Sequence, residues 1–378
     1  MNQPNANRTT KITEGEVKIA KMSTIPLSIP LDYPFGNRNQ PANEKVYLVI
    51  VKLTADNGLE AFGLIFTLNS TQVKSLKACV DDLESVIIGQ DVFRWAEAWA
   101  KLYETSKHMG RHGYSIYALA SIDTALWVLR AKALEMPLSR LLGGFRDRVP
   151  VYASYLLFRN WSLDELERDA ALLVEQGFQT IKMNLGDKPF DEEIERIKAV
   201  RGVVGKDVDI MVDVNWAWPV YDAIRMGRKL EEYNIYWLED PLASDDPDQL
   251  AQVANALDIP VAIGETYCTK YGIRPLIEKR AADILIVDLQ KIGGVTEWIK
   301  VAAIAEAWNI PVASHIFPEF SMHLVAAVPN GLIVEYMPWW DKIYTNPPEV
   351  RNGHLEIHQV PGLGLELDNE AIKKYAYK

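Results

Sequence analysis

The stretch VPVYASYLLFRNWSLDELERDAALLVEQGFQTIKMNL, residues 149–185, opens on a short apolar run (149–155) and closes on another (180–185). Between them Leu163, Leu166, Ala170 and Leu173 share one face of a helix, Ser162 and Glu165 form a capping box at its start, and Gly177 ends it. Two strands joined by a crossover helix run parallel. Further runs follow at 209–214, 235–239, 261–265, 284–289, 312–316 and 332–336, so that successive starts lie 20 to 31 residues apart. That is the length of one βα unit, and eight such units close into a TIM-type barrel. A doubly wound open sheet would carry a glycine-rich phosphate fingerprint after its first strand; Gly362 and Gly364 lack a third partner and follow no strand, and no GxxxxGK[ST] occurs.

Upstream, strand-like stretches at 46–53 and 59–66 flank a turn at Asp56-Asn57-Gly58, and helical patterns follow, which predicts a meander packed by helices. In 115–133, Ile116, Leu119, Ile122, Leu126 and Leu129 recur at three- and four-residue steps, one face of a buried helix. Residues 1–10 are polar and Asn-rich and read as a loose tail. The expected division is that tail, an α+β unit over 11–145 joined by the Pro- and Gly-rich 341–378, and a barrel over 146–340. Forty Lys and Arg against 51 Asp and Glu give a formal charge of −11, which disfavours nucleic acid and anionic membrane as partners. No run approaches a membrane span, and two distant cysteines, Cys79 and Cys268, imply no disulfide framework. A cytoplasmic protein is expected.

Barrel enzymes place their chemistry at the C-terminal strand ends. In strand order the polar residues there are Ser154, Lys182, Asp213, Glu239, Glu265, Asp288, His315 and Glu335. A single strand-end acid can be a helix cap. Three on consecutive strands, Asp213, Glu239 and Glu265, aim three negative charges at one volume, which a hard divalent ion with oxygen ligands, Mg²⁺ above all, makes favourable. Beside them an aspartate such as Asp288, held against one imidazole nitrogen of His315, would fix its tautomer and raise the basicity of the other nitrogen. Lys182 and Lys291 bring positive charge for a carboxylate substrate, although Lys291 can equally be a solvated surface lysine. This set matches removal of a proton α to a carboxylate through an enediolate, chemistry for which the enolase superfamily is an established example.

The segments IMVDVN (210–215), YWLEDP (236–241), AIGET (262–266), VDLQKIGGVTEWI (287–299), ASHIFPEFSMHLVAA (313–327) and PGLGLEL (361–367) closely resemble the enolase superfamily, mandelate racemase subgroup, over nearly the whole chain. The resemblance implies an N-terminal α+β capping domain completed by the C-terminal segment, a (β/α)7β barrel, and a symmetric homo-oligomer, often an octamer. It also implies Asp213, Glu239 and Glu265 as Mg²⁺ ligands and a His315–Asp288 dyad. Asn215 matches a position beside the substrate α-hydroxyl, Ser154 one near the substrate, and Glu319 one that hydrogen-bonds its carboxylate. A loop near 31–43 closes over the substrate in this family; here it contains Asn37, Arg38, Asn39, Gln40 and Asn43, which suits a polyhydroxylated acid.

One departure bears on the reaction. The family's Lys-x-Lys motif on the second barrel strand reads Lys182-Met183-Asn184, and an amide cannot take or hold a proton at neutral pH. With the second base gone, the expected reaction is dehydration of an acid sugar to a 2-keto-3-deoxy acid, with His315 the sole base and Lys182 steadying the enediolate. The alternatives are a 2-hydroxy-acid racemase or epimerase using Lys182 from the other face, a glycoside hydrolase, whose flanking carboxylate pair is missing here, and a metal-binding protein without catalysis.

Overall fold

The computed structural model describes residues 16–37, 40–243 and 245–378. The 1–10 tail, Arg38 and Asn39 lie outside the described residues.

Three antiparallel strands, β1 (Ile19–Asn37), β2 (Gln40–Ala55) and β3 (Glu60–Thr67), form the N-terminal sheet in the order β1-β2-β3. The expected turn sits between β2 and β3: Gly58 takes φ +85°, and the Leu59 N–H donates to Asn57 Oδ1 at 3.1 Å. β1 was not legible in the sequence because Pro26, Pro30 and Pro34 interrupt it. Proline cannot donate to a ladder and is tolerated on a sheet edge, and β1 is such an edge; its outer side meets the C-terminal tail, where the Ser28 N–H donates to Tyr375 O and the Tyr377 N–H to Pro26 O.

The helix Tyr114–Ala133 packs under this sheet. The apolar periodicity implied one buried face, but the helix is buried on all sides, with Ala118, Ala120, Ala125 and Ala131 completing the remaining faces. It is wedged between the sheet and the barrel, where Asp123 accepts from the Thr296 N–H at 2.8 Å and the Thr296 hydroxyl at 2.6 Å. On the sheet side the helix backbone lies so close to Gly63 that a Cβ there would stand 2.1 Å from Ser121 O. Gly63→Ala is therefore expected to destabilise the protein by at least about 1–3 kcal/mol, the usual cost of overpacking, read as a fall in the guanidinium midpoint at unchanged slope; an unshifted midpoint would show that the contact is looser.

The barrel strands are β4 (Arg148–Ala153), β5 (Thr180–Asn184), β6 (Asp209–Asp213), β7 (Ile235–Glu239), β8 (Val261–Ile263), β9 (Ile284–Asp288), β10 (Val312–His315) and β11 (Val334–Tyr336). They pair parallel in chain order, with β11 returning to β4. The ring closes between β10 and β11, where the Leu332 N–H donates to Val312 O at 2.8 Å and the Ser314 N–H to Ile333 O at 3.2 Å. A short strand, β12 (His354–Glu356), pairs antiparallel with β4. The expected TIM-type barrel with a capping sheet is thus the observed architecture. Between β4 and β5, helix Leu163–Glu175 starts with the capping box read from Ser162 and Glu165.

Register places chemistry at one end of the barrel. Asn184 pairs with Asp213 and Asp213 with Glu239 across β5, β6 and β7, while Asp288 pairs with His315 across β9 and β10. Glu265 follows β8 after Gly264, which takes φ +141° with Ile286 O 2.7 Å from where a Cβ would lie. Glycine alone suits that approach.

Candidate active site

These strand ends form the floor of a cavity of about 410 Å³ roofed by the N-terminal sheet, a size typical of small-molecule sites. Lys182, Asn184, Asp213, Glu265 and His315 line the floor, with Ser154, Asn215 and Lys291 beside them. Glu239 and Asp288 are buried directly beneath the lining residues.

Lys182 is the electrostatic centre. Its ammonium lies 2.7 Å from Glu335 Oε1, 3.0 Å from Glu239 Oε1 and 3.5 Å from Asp213 Oδ2. Burial would lower its pKa, but Glu239 and Glu335 outweigh that and hold it well above the ordinary lysine value. The lysine is a clamped cation, which disfavours the alternative of Lys182 as a base. Asp213 is fixed by the Asn215 N–H at 2.8 Å and the Asn184 amide at 3.2 Å. Asn184 therefore faces the cavity and ties down a neighbouring acid.

His315 donates or accepts through Nδ1 at 2.6 Å from Asp288 Oδ2, and its Nε2 stands 3.0 Å from Glu265 Oε2. Asp288 also accepts from the Lys291 N–H at 2.7 Å, so its carboxylate is aimed by backbone as well as by the ring. Burial opposes the charged imidazole, yet Glu265 and Asp288 push its pKa up to about 10. Glu265 is in turn held below the usual carboxylate range, against the effect of burial, by His315 and Lys291, the latter at 3.7 Å.

The acids carry more negative charge than these cations neutralise. Burial, opposed by Lys182, together with repulsion from Asp213 and Glu335 pushes Glu239 up to about 8. Asp240, buried behind it and accepting from Trp216 Nε1 at 2.8 Å, is raised well above the ordinary aspartate value by burial and by Glu265. Surplus charge on buried oxygen donors suits a hard divalent cation. Among the described residues no three such side chains already surround a common point: Glu239 pairs with Lys182 at 3.0 Å and Glu265 with His315 at 3.0 Å.

One expected substrate contact does not line the cavity, and another falls on residues that are not described. Glu319 stands behind the cavity wall, not on it: it is fully buried, Oε1 accepts from Trp340 Nε1 at 2.7 Å and from the Tyr344 hydroxyl at 3.0 Å, and burial pushes its pKa up to about 7. Its strand-adjacent helix, Pro318–Ala327, packs it among aromatic rings. The polar loop near 31–43 shows the cavity Phe35, Gly36 and Asn43, while Arg38, the expected substrate-binding residue, lies outside the described residues. Residues not singled out as site groups include Glu335, a strand-end acid whose position was visible, Arg159, from the loop after β4, and Gln290, from the short helix Leu289–Ile292 inside the quoted 287–299 segment.

Comparison with known proteins agrees with this architecture. The mandelate racemase / muconate lactonizing enzyme N-terminal domain matches residues 23–143, and the enolase C-terminal domain-like family matches residues 165–371. The chain is 31% identical over 368 residues to the L-talarate/galactarate dehydratase of Salmonella typhimurium, covering 96% of this chain and 92% of that one. It is 32% identical over 305 residues to the arabinonate dehydratase of Saccharolobus solfataricus, covering 78% and 82%. A crystal structure of L-talarate dehydratase from Polaromonas, complexed with Mg and L-glucarate, superposes with a TM-score of 0.91 at 30% identity, covering 95% of this chain and 97% of that one. A barrel with acids on successive strand ends beneath a capping sheet defines a class of carbon-acid enzymes. The chain belongs to the enolase superfamily, in its mandelate racemase subgroup.

Proposed function

We propose that this protein is a Mg²⁺-dependent dehydratase that converts an acid sugar to a 2-keto-3-deoxy acid. The observation that carries the reading is the one-sided site: a His315–Asp288 pair at 2.6 Å on one flank, and on the other Asn184, whose amide cannot act as acid or base at neutral pH. Relatives named as talarate/galactarate and arabinonate dehydratases support it.

Asp213, Glu239 and Glu265 would hold the ion, which when bound supplies the positive charge that stabilises the enediolate oxygens. The remaining work belongs to the chain. Lys182, a cation fixed by Glu335, faces the substrate carboxylate as charge develops there. His315 Nε2 takes the α-proton once the Glu265 carboxylate turns away from it, and Asp288 steadies the imidazolium. The same nitrogen then returns a proton to the β-hydroxyl as it leaves. One imidazole serving both steps requires the proton and the hydroxyl to depart from the same face. Location in the cytoplasm and assembly as a homo-oligomer around a small carboxylate substrate complete the reading; no helix among the described residues is long and apolar enough to cross a membrane.

Exhaustive EDTA treatment is expected to abolish keto-acid formation from a library of mono- and diacid sugars, and Mg²⁺ to restore it. Keto-acid formation that survives chelation would contradict the metal-assisted reading and return weight to a hydrolase or another metal-free chemistry.

A further inference from the structure

The roof of the cavity has a chemistry of its own. Phe35, from the edge strand β1, stacks nearly flat on Trp339, with ring centroids 5.1 Å apart and planes 8° apart, and on Phe158 at 5.0 Å and 24°. Phe66 meets Trp339 edge-on at 5.7 Å, and Leu68 and Met337 line the same cavity, adding to its apolar wall. Among the described residues, the polar groups nearest this wall each make at least one bond within the protein. The Thr67 hydroxyl donates to Gln72 Oε1 at 2.7 Å, and Gln290 Oε1 accepts from the Phe66 N–H at 2.7 Å. Asn43 reaches Phe35 O at 3.4 Å. On the flank, Arg159 donates to Val214 O at 2.5 Å and faces Asp187 at 3.7 Å.

A substrate whose carboxylate and α-carbon sit on the floor must point its far end at this roof. Hydroxyls or a second carboxylate brought against rings lose water without gaining partners, whereas a methyl group gains contact. We propose that the site selects an acid sugar with an apolar far end, a terminal deoxy (methyl-bearing) 2,3-dihydroxy acid, over the acid that ends in CH₂OH or in a second carboxylate. The selection rests on the dehydratase reading and names its substrate class.

The test compares acids that differ only at the terminal carbon (methyl, hydroxymethyl, carboxylate), each in every available configuration of the other centres. kcat/KM for keto-acid formation and thermal stabilisation of the Mg²⁺-loaded protein are both measured. The methyl-terminated acid is expected to lead by about tenfold or more in kcat/KM, the usual reach of an apolar pocket, and to give the largest thermal stabilisation of the three. Phe35→Ala, and separately Leu68→Asn, should bring the ratio toward one. Equal values for the three acids would overturn the proposal. So would a preference for the diacid, and loss of that preference in Arg159→Gln would assign the far end to Arg159 instead. If the stabilisation order holds but no acid gives a keto acid, the roof is correct and the dehydratase reading fails.

Discussion

Replacing His315 by asparagine is expected to lower kcat/KM for keto-acid formation by about 10⁴-fold, the upper range for one general acid–base group, because the imidazole serves as base in one step and acid in the next. The asparagine amide retains a donor toward Asp288, and that aspartate keeps its bond from the Lys291 N–H at 2.7 Å. Structure should survive, so the melting temperature is expected to stay within a few degrees of the parent value. The pairing of intact fold with lost turnover separates a chemical role from a packing one. Residual activity above a tenth would remove His315 from the reaction and assign the proton transfers to another group.

The second large effect concerns Lys182. Glu335 and Glu239 are fully buried around its ammonium. Lys182→Met leaves both carboxylates without their cation, and breaking a buried pair in this way costs about 3–5 kcal/mol. Measured by denaturation in EDTA, the variant should show a deficit of that order. The pH dependence follows from the sign of the change: in the parent, Glu335 is held below the ordinary carboxylate range by Lys182 despite its burial, and without the lysine burial raises it. A carboxyl with a raised folded pKa favours the folded state when protonated, so the deficit should grow as pH rises from about 5 to 8. Adding Glu335→Gln removes one orphaned charge and should recover part of the loss. A single variant as stable as the parent at pH 8 would show that the carboxylates are solvated in solution.

Much of this molecule is legible in its sequence because a barrel strand buried on both faces must be a short apolar run, and its last polar side chain must face the mouth. Asp213, Glu239 and His315 each end their strands as the runs at 209, 235 and 312 imply. Register does the rest: neighbouring parallel strands bring Asp213 beside Glu239 and Asp288 beside His315 without any loop having to be placed. The capping sheet is harder. β1 reads as a Pro-interrupted loop, since its strand character comes from pairing with β2 rather than from its own pattern. The roof residues Phe35 and Phe66 carry no motif, and their position depends on how the sheet docks. Glu319 illustrates the converse, a recognisable position whose side chain is drawn into the aromatic cluster of Trp340 and Tyr344. Trp339 and Trp340, adjacent in sequence, divide accordingly, the first on the cavity and the second on Glu319.

Proton NMR of the Mg²⁺-loaded protein acting on an acid sugar in D₂O tests the central claim, α-proton removal from one face followed by loss of the β-hydroxyl. The account predicts a 2-keto-3-deoxy acid carrying deuterium at C3, with any recovered acid unchanged in configuration at C2. Recovered acid that is deuterated and inverted at C2, with no keto acid formed, would contradict it and make the protein a racemase or epimerase.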